Sequence, residues 1–324
     1  MSLGATPEMM ETLPRPRIIS VLALVILYLS SPGMAAERQA VEIWSEGRRL
    51  AGDLWHPPAT NTDTKHPAIV MTHGWGGTRS HLNNAYAPQF AAAGFIVLTF
   101  DYRGWGDSDS RLVLVEKEPK PDAEGLITVR AKPIRNVVDP RAQIRDVISA
   151  IDFISGEPSV DAGRIGLWGT SYSGGHVVYL AARDSRVKAI VAQVGYMGAP
   201  RRNYTQLARQ RAMQKARGII DPLPTDLDCI QGLSGCPDMA KTVDYRPASL
   251  ADEIKIPTLI MDAENEELFD RTANGLAVYN MVKEHAPADY VLFAGTHYDI
   301  YDQHRREAIN RATAWYQKYL TAAN

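Results

Sequence analysis

Six short, nearly unbroken apolar runs constrain what this chain can become: residues 67–72, 95–100, 165–169, 188–194, 257–261 and 290–293. A strand that is apolar at successive positions has no solvent face, so it must be covered on both sides. Helical patterns lie between the runs, over about residues 80–93 and 269–285. Another starts at Asp139-Pro140 and carries Ile144, Val147, Ile148, Ile151 and Ile154 on one stripe. A last one shows Ala308, Ala312, Trp315, Tyr316 and Tyr319 at helical spacing. Asp before Pro is a helix start, because the carboxylate caps free N–H groups and Pro has none to lose. An antiparallel hairpin is expected over residues 41–55, ahead of the first buried strand. This rhythm predicts an α/β chain with a mostly parallel sheet of about eight strands and helices on both faces.

Three stretches fall outside the rhythm. Arg15 and Arg17 precede an apolar run over residues 18–29, and Gly33-Met34-Ala35-Ala36 follows. That is the pattern of a secretory signal peptide over residues 1–36, and the run is short for a bilayer span. An uncleaved N-terminal anchor is the competing reading. Residues 110–138 form an excursion in which 112–115 and 126–131 can pair as a hairpin. Residues 197–250 hold no apolar strand, and are expected to form a helical cap over the carboxyl ends of the strands, where such sheets bind ligands. The organisation expected is thus a leader over 1–36 and one catalytic domain over 37–324, with the cap inserted.

The 324 residues carry a net charge of −2, and removing the leader leaves that balance unchanged. No basic field is present to hold nucleic acid. The two cysteines, Cys229 and Cys236, flank a turn-rich loop. In an oxidising compartment such neighbours pair; two unrelated thiols, or a metal pair lacking further ligands, are the alternatives. In the cap Arg201, Arg202, Arg209, Arg211, Lys215 and Arg217 share one helical stretch without an acid. They make a solvated face, or a surface drawn to acidic partners.

The chemistry gathers around Gly169-Thr170-Ser171-Tyr172-Ser173-Gly174-Gly175. A serine on a tight strand-to-helix turn is forced into a strained backbone that leaves its hydroxyl exposed, and only small residues fit two positions away. Gly169 satisfies this before Ser171; Ser173 stands where Gly is usual, with Gly174 one residue late. Hydroxyl attack needs a base, and the base needs an orienting acid, in the chain order serine, acid, histidine. His297, in the loop after the last strand, is the base; His285 and His304 sit in helical patterns, His73 is loop structure, and His176 lies too far along its helix. Glu266 is the favoured acid of the crowded loop 262–270, with Asp262 and Glu264 as alternatives. The backbone N–H groups of Trp75 and Tyr172 are assigned to the oxyanion hole, with Gly76 as the alternative to Trp75.

These residues carry a resemblance. Gly169-Thr-Ser171, His73-Gly74, Asp101-Tyr-Arg-Gly-Trp-Gly-Asp-Ser and Gly295-Thr-His297-Tyr, in this order, resemble the α/β-hydrolase superfamily. Gly-x-Ser-Tyr-x-Gly at 169–174, with Asn136-Val-Val-Asp-Pro140, is similar to the branch containing Xaa-Pro dipeptidyl peptidases and cocaine-esterase-like acyl hydrolases. The resemblance implies the α/β-hydrolase fold and the triad. Two departures weaken the transfer of substrate: that branch uses a Tyr hydroxyl in its oxyanion hole, and it adds a C-terminal β-sandwich not expected after the last helix here.

The expected activity is that of an exported serine hydrolase, periplasmic or secreted, cleaving a carboxylic ester through an acyl-enzyme. A peptidase releasing short N-terminal fragments is the alternative, and needs an acidic anchor such as Asp226, Asp228 or Asp238. A non-catalytic binding protein on this fold would not need all three triad residues. No cofactor or metal is expected, no nucleic-acid partner and no stable membrane insertion after cleavage; the partner is a small ester or short peptide.

Overall fold

The computed structural model describes Met1 and residues 36–58, 64–198, 202–224, 229–242 and 244–321. The expected leader therefore lies, but for its two end residues, outside the described residues. β1 (Glu37–Ser45) and β2 (Arg48–His56) form the predicted antiparallel hairpin. β3 (His66–Thr72) leads into α1 (Arg79–Ala85), α2 (Ala87–Ala92) and β4 (Ile96–Phe100). The single helix expected over 80–93 is thus two. Pro88, at the start of α2, has no N–H to continue α1, and its ring opposes the preceding turn.

In the excursion, β5 (Leu112–Leu114) pairs with β6 (Ala131–Pro133), antiparallel. The second strand starts where the predicted one ends, so Leu126 and Ile127 stay exposed instead of pairing. β7 (Val137–Val138) precedes α3 (Pro140–Ser155), whose N-cap Asp139 accepts the Ala142 N–H as anticipated. β8 (Val160–Thr170), α4 (Tyr172–Arg183) and β9 (Val187–Gln193) follow. The 197–250 stretch holds α5 (Arg202–Ala216), β10 (Cys236–Pro237) and α6 (Met239–Thr242), and no strand of the main sheet among the described residues. The chain closes with β11 (Thr258–Ala263), α7 (Gly275–Val282), β12 (Ala288–Phe293) and α8 (Arg305–Leu320). α7 begins later than the pattern over 269–285 implies. The preceding Asn274 is non-helical, and its side chain is diverted to accept the Met197 N–H at 2.6 Å.

The eight-stranded sheet runs β1-β2-β4-β3-β8-β9-β11-β12, parallel from β4 to β12. Alternation along each strand splits the core into two layers. Val70, Leu98, Leu167, Ile190 and Ile260 face α3, α4 and α7, packing on Val147, Ile151, Val178 and Val278. Their neighbours Ile69, Val97, Trp168, Val191 and Met261 face the other way, onto Phe90, Ala312 and Tyr316 of α2 and α8. Because β3, β8, β9, β11 and β12 all point one way, the loops that follow them meet at one edge of the sheet.

The 197–250 stretch is tied down on this edge. Cys229 and Cys236 form a disulfide. β10 pairs with β7, and Asp238 is held by Lys215 at 2.9 Å and Lys241 at 3.5 Å. Lys241 also reaches Asp139 at 2.6 Å, so the start of α3 is braced from both sides. Of the basic stripe, Arg209 and Arg217 are exposed as a solvated face requires, whereas Lys215 is committed to Asp238; Arg201 and the side chain of Arg202 lie outside the described residues. No helix among the described residues is long and apolar enough to cross a membrane.

Candidate active site

The turn between β8 and α4 has the strain its sequence requires. Ser171 adopts φ 54° and ψ −123°, a region that favours glycine. Its backbone is pinned on both sides: its N–H donates to the Gln193 carbonyl at 2.9 Å, and its own carbonyl accepts the Tyr196 N–H at 3.0 Å. Gly174, the glycine that comes one residue late, has a job of its own. A Cβ there would stand 2.5 Å from the Cα of Gly195. Ser173, in the usual glycine place, is a clamp. Its hydroxyl lies 2.8 Å from the Thr72 carbonyl and accepts the Thr170 N–H at 3.0 Å, joining the ends of β3 and β8.

Three of the predicted residues meet at this turn. The Nε2 of His297 stands 3.1 Å from the Ser171 hydroxyl oxygen, and its Nδ1 2.7 Å from Glu266 Oε2. The carboxylate can only accept, so the ring proton sits on Nδ1 and Nε2 is left to accept from the serine. The His297 and Glu266 side chains are each 2% exposed. The alternatives for the acid are elsewhere. Glu264 is exposed, and Asp262 is buried behind the loop, where the Tyr290 hydroxyl donates to it at 3.0 Å. Burial pushes Asp262 up to about 7; the Tyr290 hydrogen bond opposes that rise and nearby Glu266 adds to it.

Glu267 was not foreseen as part of the site. Its Oε2 accepts the backbone N–H of His297 at 2.7 Å, while the Leu268 N–H donates to Glu266 Oε1 at 3.0 Å. The loop after β11 thus grips the histidine by ring and by main chain. Adjacent carboxylates in a loop carry no periodic signal for this division of labour.

The loop after β3 passes directly over the serine. A Cβ at Gly74 would lie 2.7 Å from Ser171 Cβ, so only glycine allows that approach. The Gly74 carbonyl accepts from His73 Nδ1 at 3.0 Å and from the Gly77 N–H at 3.1 Å. His73 is therefore loop structure, as expected. It is buried against Tyr102, and burial pulls it down to about 4. Trp75 and Tyr172 both line the cavity before Ser171, their rings edge to face at 5.3 Å. Tyr172 is the first residue of α4, where a helix leaves its N–H groups without intrahelical partners.

His176 is buried on α4, away from the serine, with Nδ1 2.8 Å from the Tyr245 hydroxyl. Tyr245 also donates to the Tyr172 carbonyl at 3.2 Å, and the Tyr172 ring stacks between Tyr245 and Tyr196. His285 is exposed; His304 is half-buried on Phe293. The Asp101–Asp109 motif proves architectural. Asp101 accepts the Arg79 and Asp107 N–H groups at 2.7 and 3.1 Å, and Arg103 is forked onto buried Asp146 at 2.6 and 2.8 Å.

The cavity has a volume of about 860 Å³. Aromatic and aliphatic side chains dominate it, among them Trp75, Tyr172, Tyr196, Leu233, Leu268 and Phe269. Part of its wall is the disulfide-bounded loop, whose Ser234 lies against Gly76. No group of three or more His, Cys, Asp or Glu side chains able to hold a metal occurs among the described residues.

Comparison with known proteins agrees with this architecture. An uncharacterized 31.7 kDa protein of the traX-finO intergenic region of Escherichia coli is 29% identical over 287 residues, spanning 79% of this chain and 92% of its own. The thiohydrolase aneE of Aspergillus aculeatus is 31% identical over 189 residues, 56% of this chain and 51% of its own. The solved structure of the α/β hydrolase GrgF from Penicillium superposes with a TM-score of 0.66 at 18% identity, covering 88% of this chain and all of that one. Likeness at that identity speaks for the fold, which is that of the α/β hydrolases. The sequence profile of the X-Pro dipeptidyl-peptidase (S15) family matches residues 46–219, more than half of the chain, and to that family the chain belongs.

Proposed function

We propose that this hydrolase cleaves carboxylic esters with Ser171 as nucleophile, His297 as base and Glu266 as the acid that orients it. The observation that carries the reading is the unbroken relay from Glu266 Oε2 through the His297 ring to Ser171 Oγ, at 2.7 and 3.1 Å. Ser171 Oγ bonds to the acyl carbon as its proton passes to His297 Nε2. The Trp75 and Tyr172 N–H groups receive the oxyanion. Collapse expels the alcohol, which takes that proton. Water then attacks the acyl-enzyme, giving its proton to His297, and serine departs with it. Glu266 stays ionised throughout, holding the tautomer and the charged imidazolium.

Family membership favours a second reading, a peptidase that removes short N-terminal fragments. Such an enzyme needs a carboxylate for the substrate ammonium. Among the described residues the cavity has no aspartate or glutamate, and Asp238 is spent on Lys215 and Lys241. Asp226 and Asp228 lie outside the described residues. The balance supports an ester. A fluorophosphonate probe should label the wild type and not Ser171→Ala, and p-nitrophenyl acetate should turn over where a proline-linked dipeptide anilide does not. Labelling of the alanine variant, or the reverse substrate preference, sinks the reading.

Export belongs to the same proposal. Its supports are the leader pattern over residues 1–36 and the Cys229–Cys236 disulfide, a bond that persists in oxidising compartments. N-terminal sequencing of the chain from a periplasmic or secreted fraction should begin near residue 37; an intact leader on a cytoplasmic chain refutes export.

A further inference from the structure

The cavity is one-sided in charge. Its described lining includes Arg246 and Arg305 and not one carboxylate. Both arginines are exposed at the rim, and neither has an ion-pair partner among the described residues. Three other cations on this edge are matched: Lys215 by Asp238, Lys241 by Asp139, Arg111 by Asp139.

The rest of the lining is apolar wall and polar groups. The 197–250 stretch and the loop after β11 give the cavity its apolar wall, with Ile230, Leu233, Leu268 and Phe269. Arg305 lies close to Tyr86 and Tyr301, which offer hydroxyl groups. It donates to the Tyr301 carbonyl at 3.4 Å, and the Tyr301 hydroxyl is 2.6 Å from the Thr170 hydroxyl, next to Ser171. Arg305 is also the first residue of α8, the end of a helix where a cation is disfavoured by the peptide dipoles. Helix stability does not explain an arginine there.

Resting on the esterase reading above, we propose that the substrate is a carboxylate-bearing ester whose anion pairs with Arg305, its hydrocarbon part lying toward Leu233, Leu268 and Phe269. A guanidinium reads a carboxylate through a two-pronged, charge-assisted contact, and the neighbouring hydroxyls can donate to the remaining lone pairs. The anion can belong to the acyl part or to the alcohol part; the chemistry at Arg305 is the same.

Two matched substrate pairs separate these sources: p-nitrophenyl hydrogen adipate against p-nitrophenyl methyl adipate, and 4-acetoxybenzoate against its methyl ester. The wild type should favour the charged member of at least one pair in kcat/KM, and that pair tells which part carries the anion. Arg305→Gln should shrink the charged-to-neutral ratio about ten- to hundredfold, mainly through KM, and Arg305→Lys should restore part of it. Arg246→Gln should leave the ratio standing. Equal rates within both pairs overturn the inference, as does a ratio lost in Arg246→Gln and kept in Arg305→Gln. An enzyme that turns over neutral esters but ignores charge loses only this inference; one that cleaves none of the four loses the esterase reading as well.

Discussion

Glu266 and Asp262 stand four residues apart at the end of one strand and meet opposite fates. The first spends one oxygen on the His297 ring and the other on the Leu268 N–H; the second is sealed behind it with Oδ1 unpartnered. Glu266→Gln keeps the shape but alters the hydrogen bond that sets the histidine tautomer, so kcat should fall about 10²–10⁴-fold in steady-state assays. Asp262→Asn should leave kcat within a few-fold and act on stability instead. The folded-state value of Asp262 is raised to about 7, against an ordinary value of 3.8. Its favourable contribution is therefore complete below about pH 4 and is lost as pH rises through 7, where a buried carboxyl must ionise. Melting curves should show Asp262→Asn a few degrees more stable than wild type at pH 8, with the two converging near pH 4. Sequence spacing singled out Glu266 because a strand end, two polar residues and an apolar anchor at Leu268 define where the loop turns. It could not tell that Asp262 is buried or that Glu267 holds the His297 main chain, since both depend on what β12 and the next loop bring alongside.

α3 shows how one capping residue serves two elements. Asp139 accepts the Ala142 N–H at 3.1 Å and pairs with Arg111 and Lys241, each at 2.6 Å. Burial pushes its carboxyl up, but Lys241, the Ala142 N–H and Arg111 together hold it below its ordinary range. Asp139→Asn keeps the cap and loses the charges, while Asp139→Ala loses both. Chemical denaturation should rank wild type above Asn above Ala, the last step costing about 1 kcal/mol. Because the folded-state value is depressed, the advantage of wild type over Asn should be full above the ordinary carboxylate range and vanish as pH falls through the depressed value. The Asp-Pro signal and the apolar stripe made α3 legible from local chemistry alone. α1 and α7 were less so: Pro88 cuts the first, and the second starts late because Asn274 serves Met197.

Across the whole molecule, the mostly parallel sheet was legible because doubly buried strands cannot hide their composition, and parallel strands must deliver their loops to one edge. What escaped was the way the 197–250 stretch is moored, through β10 on β7 and through Asp238 and Lys241, since two-residue pairings and ion pairs leave no pattern in a sequence. The disulfide gives that mooring a chemical clock. The loop it closes presses Ser234 against Gly76, on the strip of main chain proposed to steady the oxyanion, whereas the three proposed reacting side chains come from the β8–α4 turn and the loops after β11 and β12. A freshly made, still-reduced chain would therefore hold its proposed nucleophile, base and acid while one wall of the cavity stands unbraced. Maturation by oxidation would finish the vessel, not the reagents.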